Sequence, residues 1–189
     1  IPGSPIAYWV SQNLRNTFAK GIPLGRIAKP RLGMRTGNNE RFVRNWFEVN
    51  FNKIGFNYKN AKEAQESRLK WFPYNKGGEY RKWYGNNEYV VNWKNDGYEI
   101  KVETLKSYPQ LSWNNLGWKI SNEKYFFKRC LEWSRISSSF LGVRCSPAGF
   151  LFDTNGSFAF PEERYFSILL SFLCSKLSVL FVKIVNPSL

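Results

Sequence analysis

Glu88-Tyr89-Val90-Val91-Asn92-Trp93, then Lys94-Asn95-Asp96-Gly97, then residues 98–104 place two β-favouring runs on either side of a turn ending in Asp-Gly. Aromatic and β-branched side chains suit a pleated surface, and Asp-Gly supplies the positive φ of a tight turn, so a β-hairpin is predicted over 88–104. A hairpin there excludes an all-helical bundle. Further strands are predicted over 130–136, 140–145 and 149–152, the last turning through Asp153-Thr154-Asn155-Gly156 into a strand over 157–160.

Helical signals surround these strands. Ser4 before Pro5 is a helix start and Gly21 a stop, with Tyr8, Trp9, Leu14 and Phe18 at roughly helical spacing between them. Asn38 or Asn39 caps a second helix, with Glu40 in its first turn and Phe42, Val43, Trp46 and Phe47 as its predicted buried face. Residues 59–70 are polar and helix-compatible, with almost nothing to bury. Residues 165–185 are mostly apolar, but Lys176, Lys183 and four serines argue against a membrane span and for one or two buried core helices. The expected fold is α+β, a single domain with a mixed or largely antiparallel sheet flanked by helices.

The chain has 189 residues, 43% hydrophobic and 18% aromatic, enough to collapse without a metal or disulfide staple. Its 28 Lys plus Arg against 14 Asp plus Glu leave a net charge of +14 and a pI near 9.8. That excess favours polyanionic partners such as nucleic acid or an anionic membrane surface, and it also fits a merely soluble basic protein. With no histidine and three widely spaced cysteines, Cys130, Cys145 and Cys174, a zinc site and a His-based triad are excluded. The cysteines suit reduced, packing thiols in a cytosol. Neither a Rossmann-type nor a P-loop glycine pattern occurs, and the acids form no recognisable metal or acid/base motif. No catalytic residue and no metal ligand is assigned. No signal peptide or repeat is visible, and a start at Ile1 with an end on Asn186-Pro187-Ser188-Leu189 predicts a fragment.

Three stretches carry candidate binding chemistry. Residues 76–86, KGGEYRKWYGN, hold three cations, three aromatics and three glycines around one acid, Glu79. Cations neutralise phosphates, rings stack on bases, and glycines let backbone approach closely, so Lys76, Arg81, Lys82 and Asn86 are candidates. Equally, Tyr80, Trp83 and Tyr84 at i, i+3, i+4 are core aromatics between glycine turns. Arg31, Arg35, Thr36, Asn38, Asn39, Arg41 and Arg44 form a basic, amide-rich stretch able to touch base edges or phosphates, or else a capped turn with solvated arginines. The run from Trp133 through Arg135 to Arg144 offers hydroxyls and two arginines, or an ordinary exposed strand.

The same residues carry a resemblance. KPRLGMRTGNNERFVRNWFEV, KWFPYNKGGEYRKWYGNNEYVVNWKNDGYEIK, EWSRISSSFLGVR, GFLFDTNGSFAF and LLSFLCSKLSVLFVKIVNPSL follow one another as in the PglX family, over nearly the whole chain. That family is the large adenine-specific DNA methyltransferase of bacterial BREX phage-defence systems, related to restriction-modification enzymes of the MmeI kind. The resemblance implies that residues 1–30 are a helix and connector following a catalytic domain, and that residues 31–189 are a DNA target-recognition domain truncated at its C-terminal end. The parent enzyme would transfer a methyl group from S-adenosylmethionine to adenine in double-stranded DNA, taking the base out of the duplex.

The cofactor motif and the Asn-Pro-Pro-aromatic motif of such enzymes are absent, and Asn186-Pro187-Ser188-Leu189 lacks the second proline and the aromatic. Methyl transfer by this chain alone is therefore not expected, and no cofactor is assigned to it. The implied partners are double-stranded DNA, the catalytic domain of the parent and other defence-system subunits, in the cytoplasm and without a membrane. Competing readings are an RNA or single-strand binding module, an enzyme with an unrecognised site, and a scaffold that binds no DNA.

Overall fold

The computed structural model describes residues 8–134 and 141–185. Within them, eight strands form two four-stranded sheets. Sheet one has the order β1 (Pro30–Arg31), β8 (Gly156–Ala159), β5 (Cys130–Ser134), β6 (Val143–Ser146), all antiparallel. Sheet two has the order β2 (Val43–Asn45), β4 (Tyr89–Asn92), β3 (Trp71–Asn75), β7 (Leu151–Phe152), with only β3 and β7 parallel. The helices are α1 (Gln12–Lys20), α2 (Leu24–Ile27), α3 (Asn39–Phe42), α4 (Ala61–Glu66), α5 (Lys94–Ser107), α6 (Glu163–Leu173) and α7 (Lys176–Val185). The α+β expectation holds, with two sheets in place of one.

Period-two alternation divides sheet one between two cores. Leu131, Val143 and Ala159 face α6, which returns Phe166, Leu169 and Leu173 at helical spacing. Cys130 and Phe158 face the main core, shared with Phe72, Tyr74, Val91 and Phe152 of sheet two and Ile100 of α5. Phe152 and Phe158 meet across the sheets with ring centroids 4.5 Å apart, and Phe126 closes edge-on against Phe152 at 5.0 Å. A smaller contact joins α1 to α7, where Phe18 lies 5.1 Å from Phe181.

The hairpin predicted over 88–104 does not form. β4 is paired on both edges, by β2 and β3, so no edge is left for a neighbouring strand. The Asp-Gly turn chemistry is real, since Asn95, Asp96 and Gly97 all have positive φ (51°, 57° and 70°), but the turn opens into α5. There Ile100 and Thr104 are buried one turn apart, a helical period that the β-favouring Tyr98, Val102 and Thr104 concealed.

Asn38 caps α3, its side chain accepting from the Arg41 amide at 3.0 Å. The helix ends after four residues. Phe42 and Val43 are buried, but Trp46 and Phe47 are exposed on a 3₁₀ turn, contrary to the expected buried face. Gly21 ends α1 with Ser11 as its N-cap; Ser4 and Pro5 lie outside the described residues. The apolar tail is two helices, α6 and α7, bent by 81°. Among the described residues no single helix is long and apolar enough to cross a membrane.

One close approach fixes how the sheets join. A Cβ on Gly33 would lie 1.8 Å from the Phe152 carbonyl oxygen, with backbone on both sides of the contact. Gly33→Ala is expected to destabilise the fold by about 3 kcal/mol, read by urea unfolding, because the overlap is relieved only by parting β7 from the backbone at Gly33.

Candidate nucleic-acid interface

The chain passes from sheet two to sheet one at Asp153, between β7 and β8. Tyr74 donates its hydroxyl to the Asp153 carboxylate at 2.6 Å, and the Asn155 amide donates to the other carboxylate oxygen at 2.8 Å. The Asp153 amide donates to the Asn75 carbonyl at 2.9 Å, and the Asp153 carbonyl accepts from Gly33 at 3.3 Å. Burial first, then the Asp153 charge, pushes the Tyr74 phenol well above its ordinary range, so it remains a neutral donor. The arginine-rich turn packs beside this corner. Arg35, Thr36 and Asn39 form one wall of a polar cleft of about 190 Å³, and residues 153–155 form the other.

Within that turn the side chains divide by role. Arg35 is exposed, its backbone amide held by the Lys119 carbonyl at 2.8 Å. Thr36 is buried and donates its hydroxyl to the Asn39 side chain, while Asn38 serves as the α3 cap. Arg41 pairs with Glu103 of α5 at 2.9 Å and lies 3.8 Å from Glu99. Arg31 lies over the Tyr125 ring and donates to its hydroxyl at 3.3 Å.

The glycine-rich stretch is a loop between β3 and β4, pinned at many points. Gly77 and Gly78 have φ of 76° and 133°, and Gly85 has 128°, values that glycine adopts at least cost. Asn86 is buried and clamps the loop, donating to the Glu79 carbonyl at 2.9 Å and accepting from Arg81 Nε at 3.0 Å. Ser134 donates to the Gly78 carbonyl at 2.6 Å, and Lys82 Nζ donates at 2.8 Å to the Cys174 carbonyl just past the end of α6. Trp83 pairs in parallel with Arg144, giving and receiving backbone hydrogen bonds of 2.9 Å with Val143 and Cys145. The loop thereby extends sheet one beyond β6. Lys76 lies at its base, 5.0 Å from the Tyr89 ring centre.

Tyr80, Trp83 and Tyr84 are 43%, 51% and 67% exposed. They are not core aromatics on a helix: Trp83 sits in a tight turn, the Tyr84 amide donating to the Lys82 carbonyl at 2.8 Å, and an isolated bridge to Arg144 holds that turn on the β6 edge with the rings outward.

Arg144 stands in the opposite situation. Opposite Glu132 in the β5–β6 register, it is 1% exposed, as is Glu132, and its Nε donates to that carboxylate at 3.0 Å. Strand alternation sends Val143 and Cys145 toward α6 and Arg144 between the sheets. The exposed-strand reading of residue 144 is therefore corrected: its charge is held inside the fold. Glu132, Asp153 and Tyr74 were not singled out from sequence, where a lone acid or tyrosine in a strand carries no sign of its long-range partner. Arg135 lies outside the described residues.

The two basic stretches meet at the corner, since a Cβ on Gly77 would sit 3.1 Å from the carbonyl oxygen of Asn155, which also lines the Arg35 cleft. Among the described residues, no three acids or cysteines gather to hold a metal ion. Burial pushes the Cys130 and Cys174 thiols up, which suits packing.

No family model matches the chain. The chain is 41% identical over 191 residues to the adenine-specific methyltransferase PglX of Lacticaseibacillus casei (strain Zhang), an alignment covering all of this chain and 15% of that protein. It is similar to one segment of that protein. A second relative, the adenine-specific methyltransferase BrxX of Escherichia coli O9:H4 (strain HS), is 36% identical over 164 residues, 87% of this chain and 12% of that protein. The PglX-like segment thus spans well under two thirds of the curated relatives it matches.

Burial raises the Glu132 carboxyl to about 7, opposed by the charge and hydrogen bond of Arg144 and increased by Glu88. Because the folded value lies above the ordinary one of about 4.3, the native state holds a proton that the unfolded chain releases, and stability falls as pH rises between the two. Urea unfolding is expected to show stability declining from about pH 5 to about pH 7 and then levelling. Glu132→Gln should remove that slope, and Arg144→Ala should cost about 3–5 kcal/mol above about pH 7, where the carboxyl is ionised and would be stranded, and less below it.

Proposed function

We propose that this chain is the DNA target-recognition part of an S-adenosylmethionine-dependent, adenine-specific DNA methyltransferase acting in bacterial BREX phage defence. The observation that carries this reading is the correspondence of the whole chain to one segment of PglX, named an adenine-specific methyltransferase. The net charge of +14 supports it, since a duplex is read through a surface that first neutralises phosphates.

In this reading the methyl donor and the reacting base are held by a catalytic domain elsewhere in the parent chain, and other defence-system subunits bind the assembled enzyme in the cytoplasm. This chain grips the flanking duplex. Arg35 and Asn39, which line the cleft, and Lys76, at the base of the loop, are the residues this reading assigns to phosphate or a base edge. Arg31, Arg41 and Arg81 add charge beside them, each partly engaged with a neighbouring side chain. Thr36, Asn38, Lys82, Asn86 and Arg144 act within the fold, holding the turn, the loop and the β6 edge in shape.

Fluorescence anisotropy of the chain with random duplex DNA across a salt series tests the reading. Duplex binding that weakens steeply with salt is expected, and replacing Arg35 and Lys76 by alanine should weaken it on all sequences and reduce the slope by about 0.9 per lost phosphate contact. A stronger grip on single strands at equal charge would favour the single-strand reading, and no binding at low salt would favour the scaffold.

A further inference from the structure

Resting on the DNA-binding reading, we infer that Trp83 and Tyr84 form a stacking wedge that receives bases unstacked from the bound duplex. What the loop turns outward is aromatic more than cationic. The Lys82 ammonium is bonded to the Cys174 carbonyl, and Arg81, the one exposed cation from Arg81 to Asn86, has its Nε held by Asn86, whereas Trp83 and Tyr84 are more than half exposed.

The backbone at Trp83 strengthens the case. Its φ is 72°, a conformation that costs a non-glycine residue about 1–2 kcal/mol; elsewhere in the loop positive φ falls on Gly77, Gly78, Gly85 and Asn86, residue types that bear it more easily than an indole. Packing does not account for an indole there, because half of it faces solvent. The two hydrogen bonds to Val143 and Cys145, the Asn86 clamp and the Ser134 contact hold the strained residue in place. Buried Phe127 shows the same backbone sign inside the core, so it is the combination of that strain with an outward ring that sets Trp83 apart and suits a group positioned for a ligand.

The ligand chemistry follows from position and charge. The loop borders the corner at Asn155 that also lines the Arg35 cleft, so a duplex whose phosphates engage the cleft lies within reach of the rings. An enzyme acting on a base must take it out of the stack, and an aromatic wedge offers the disturbed neighbours a surface that replaces the lost stacking. A platform held rigid before binding loses little entropy when it does so.

The test compares anisotropy for a perfect duplex with that for the same duplex carrying a central mismatch with 2-aminopurine. The wild-type chain is expected to prefer the mismatched duplex and quench the 2-aminopurine. Trp83→Ala with Tyr84→Ala should weaken mismatch binding about ten-fold or more, abolish the preference and leave the salt slope unchanged, while Trp83→Phe retains the preference. Thermal unfolding checks that the variants fold, and Tyr84→Ala alone, which removes the most exposed of the three loop rings, serves if the double variant does not. Duplex binding with no mismatch preference, or with a preference untouched by the variants, overturns the wedge and leaves a protein-docking surface in its place. Failure to bind any DNA overturns both the wedge and the recognition reading.

Discussion

The hydrogen bond from Tyr74 to Asp153 is the constraint around which the rest of the molecule is arranged. It forms in a buried place between a strand of sheet two and the residue at which the chain leaves for sheet one. A buried carboxylate without such partners would be strongly unfavourable, so the phenol, the Asn155 amide and the local backbone together select one path for the corner. The aromatic contacts between Phe152 and Phe158 then bring the sheets together on either side of it. Gly33 passes close against Phe152 at that point, with no room for a side chain, and the arginine-rich turn begins there.

A second buried polar pair, Glu132 with Arg144, acts at the far edge of sheet one. Neither charge is available to an external ligand, and burying both is weak evidence for added stability, because desolvation opposes the attraction. Its consequence is geometric: the pair lies directly opposite in register and fixes the inward side of β6, whose free edge then takes up Trp83. Lys82 adds a bond to the end of α6, so the loop is joined to both the sheet and its covering helix. The outward rings are thus a product of inward polar chemistry.

Several elements were legible in the chain itself. The strands around 130–134, 143–146, 151–152 and 156–159, the turn at 153–156, the Asn38 cap and the Gly21 stop all arise from local preference, and local preference is written in neighbouring residues. The pairing of β4 was not legible: Val90 and Val91 suit a strand, but β2 and β3, which occupy its edges, approach from residues 43–45 and 71–75. A nearby run with β-favouring composition therefore reads as its partner when it is in fact α5.

The candidate surface divides in the same way. Sequence alone determined the supply of chemistry: a strong positive charge, a glycine-rich loop dense in rings and cations, an arginine-rich turn, and too little metal-binding or nucleophilic chemistry for a familiar active site. Only the tertiary structure decided which of those groups face outward. Arg144 and Trp83 share one β-bridge, yet the arginine is buried on Glu132 and the tryptophan faces solvent. The physical reason is that exposure depends on long-range register and on which edges are already paired, whereas composition and turn preference act over a few residues.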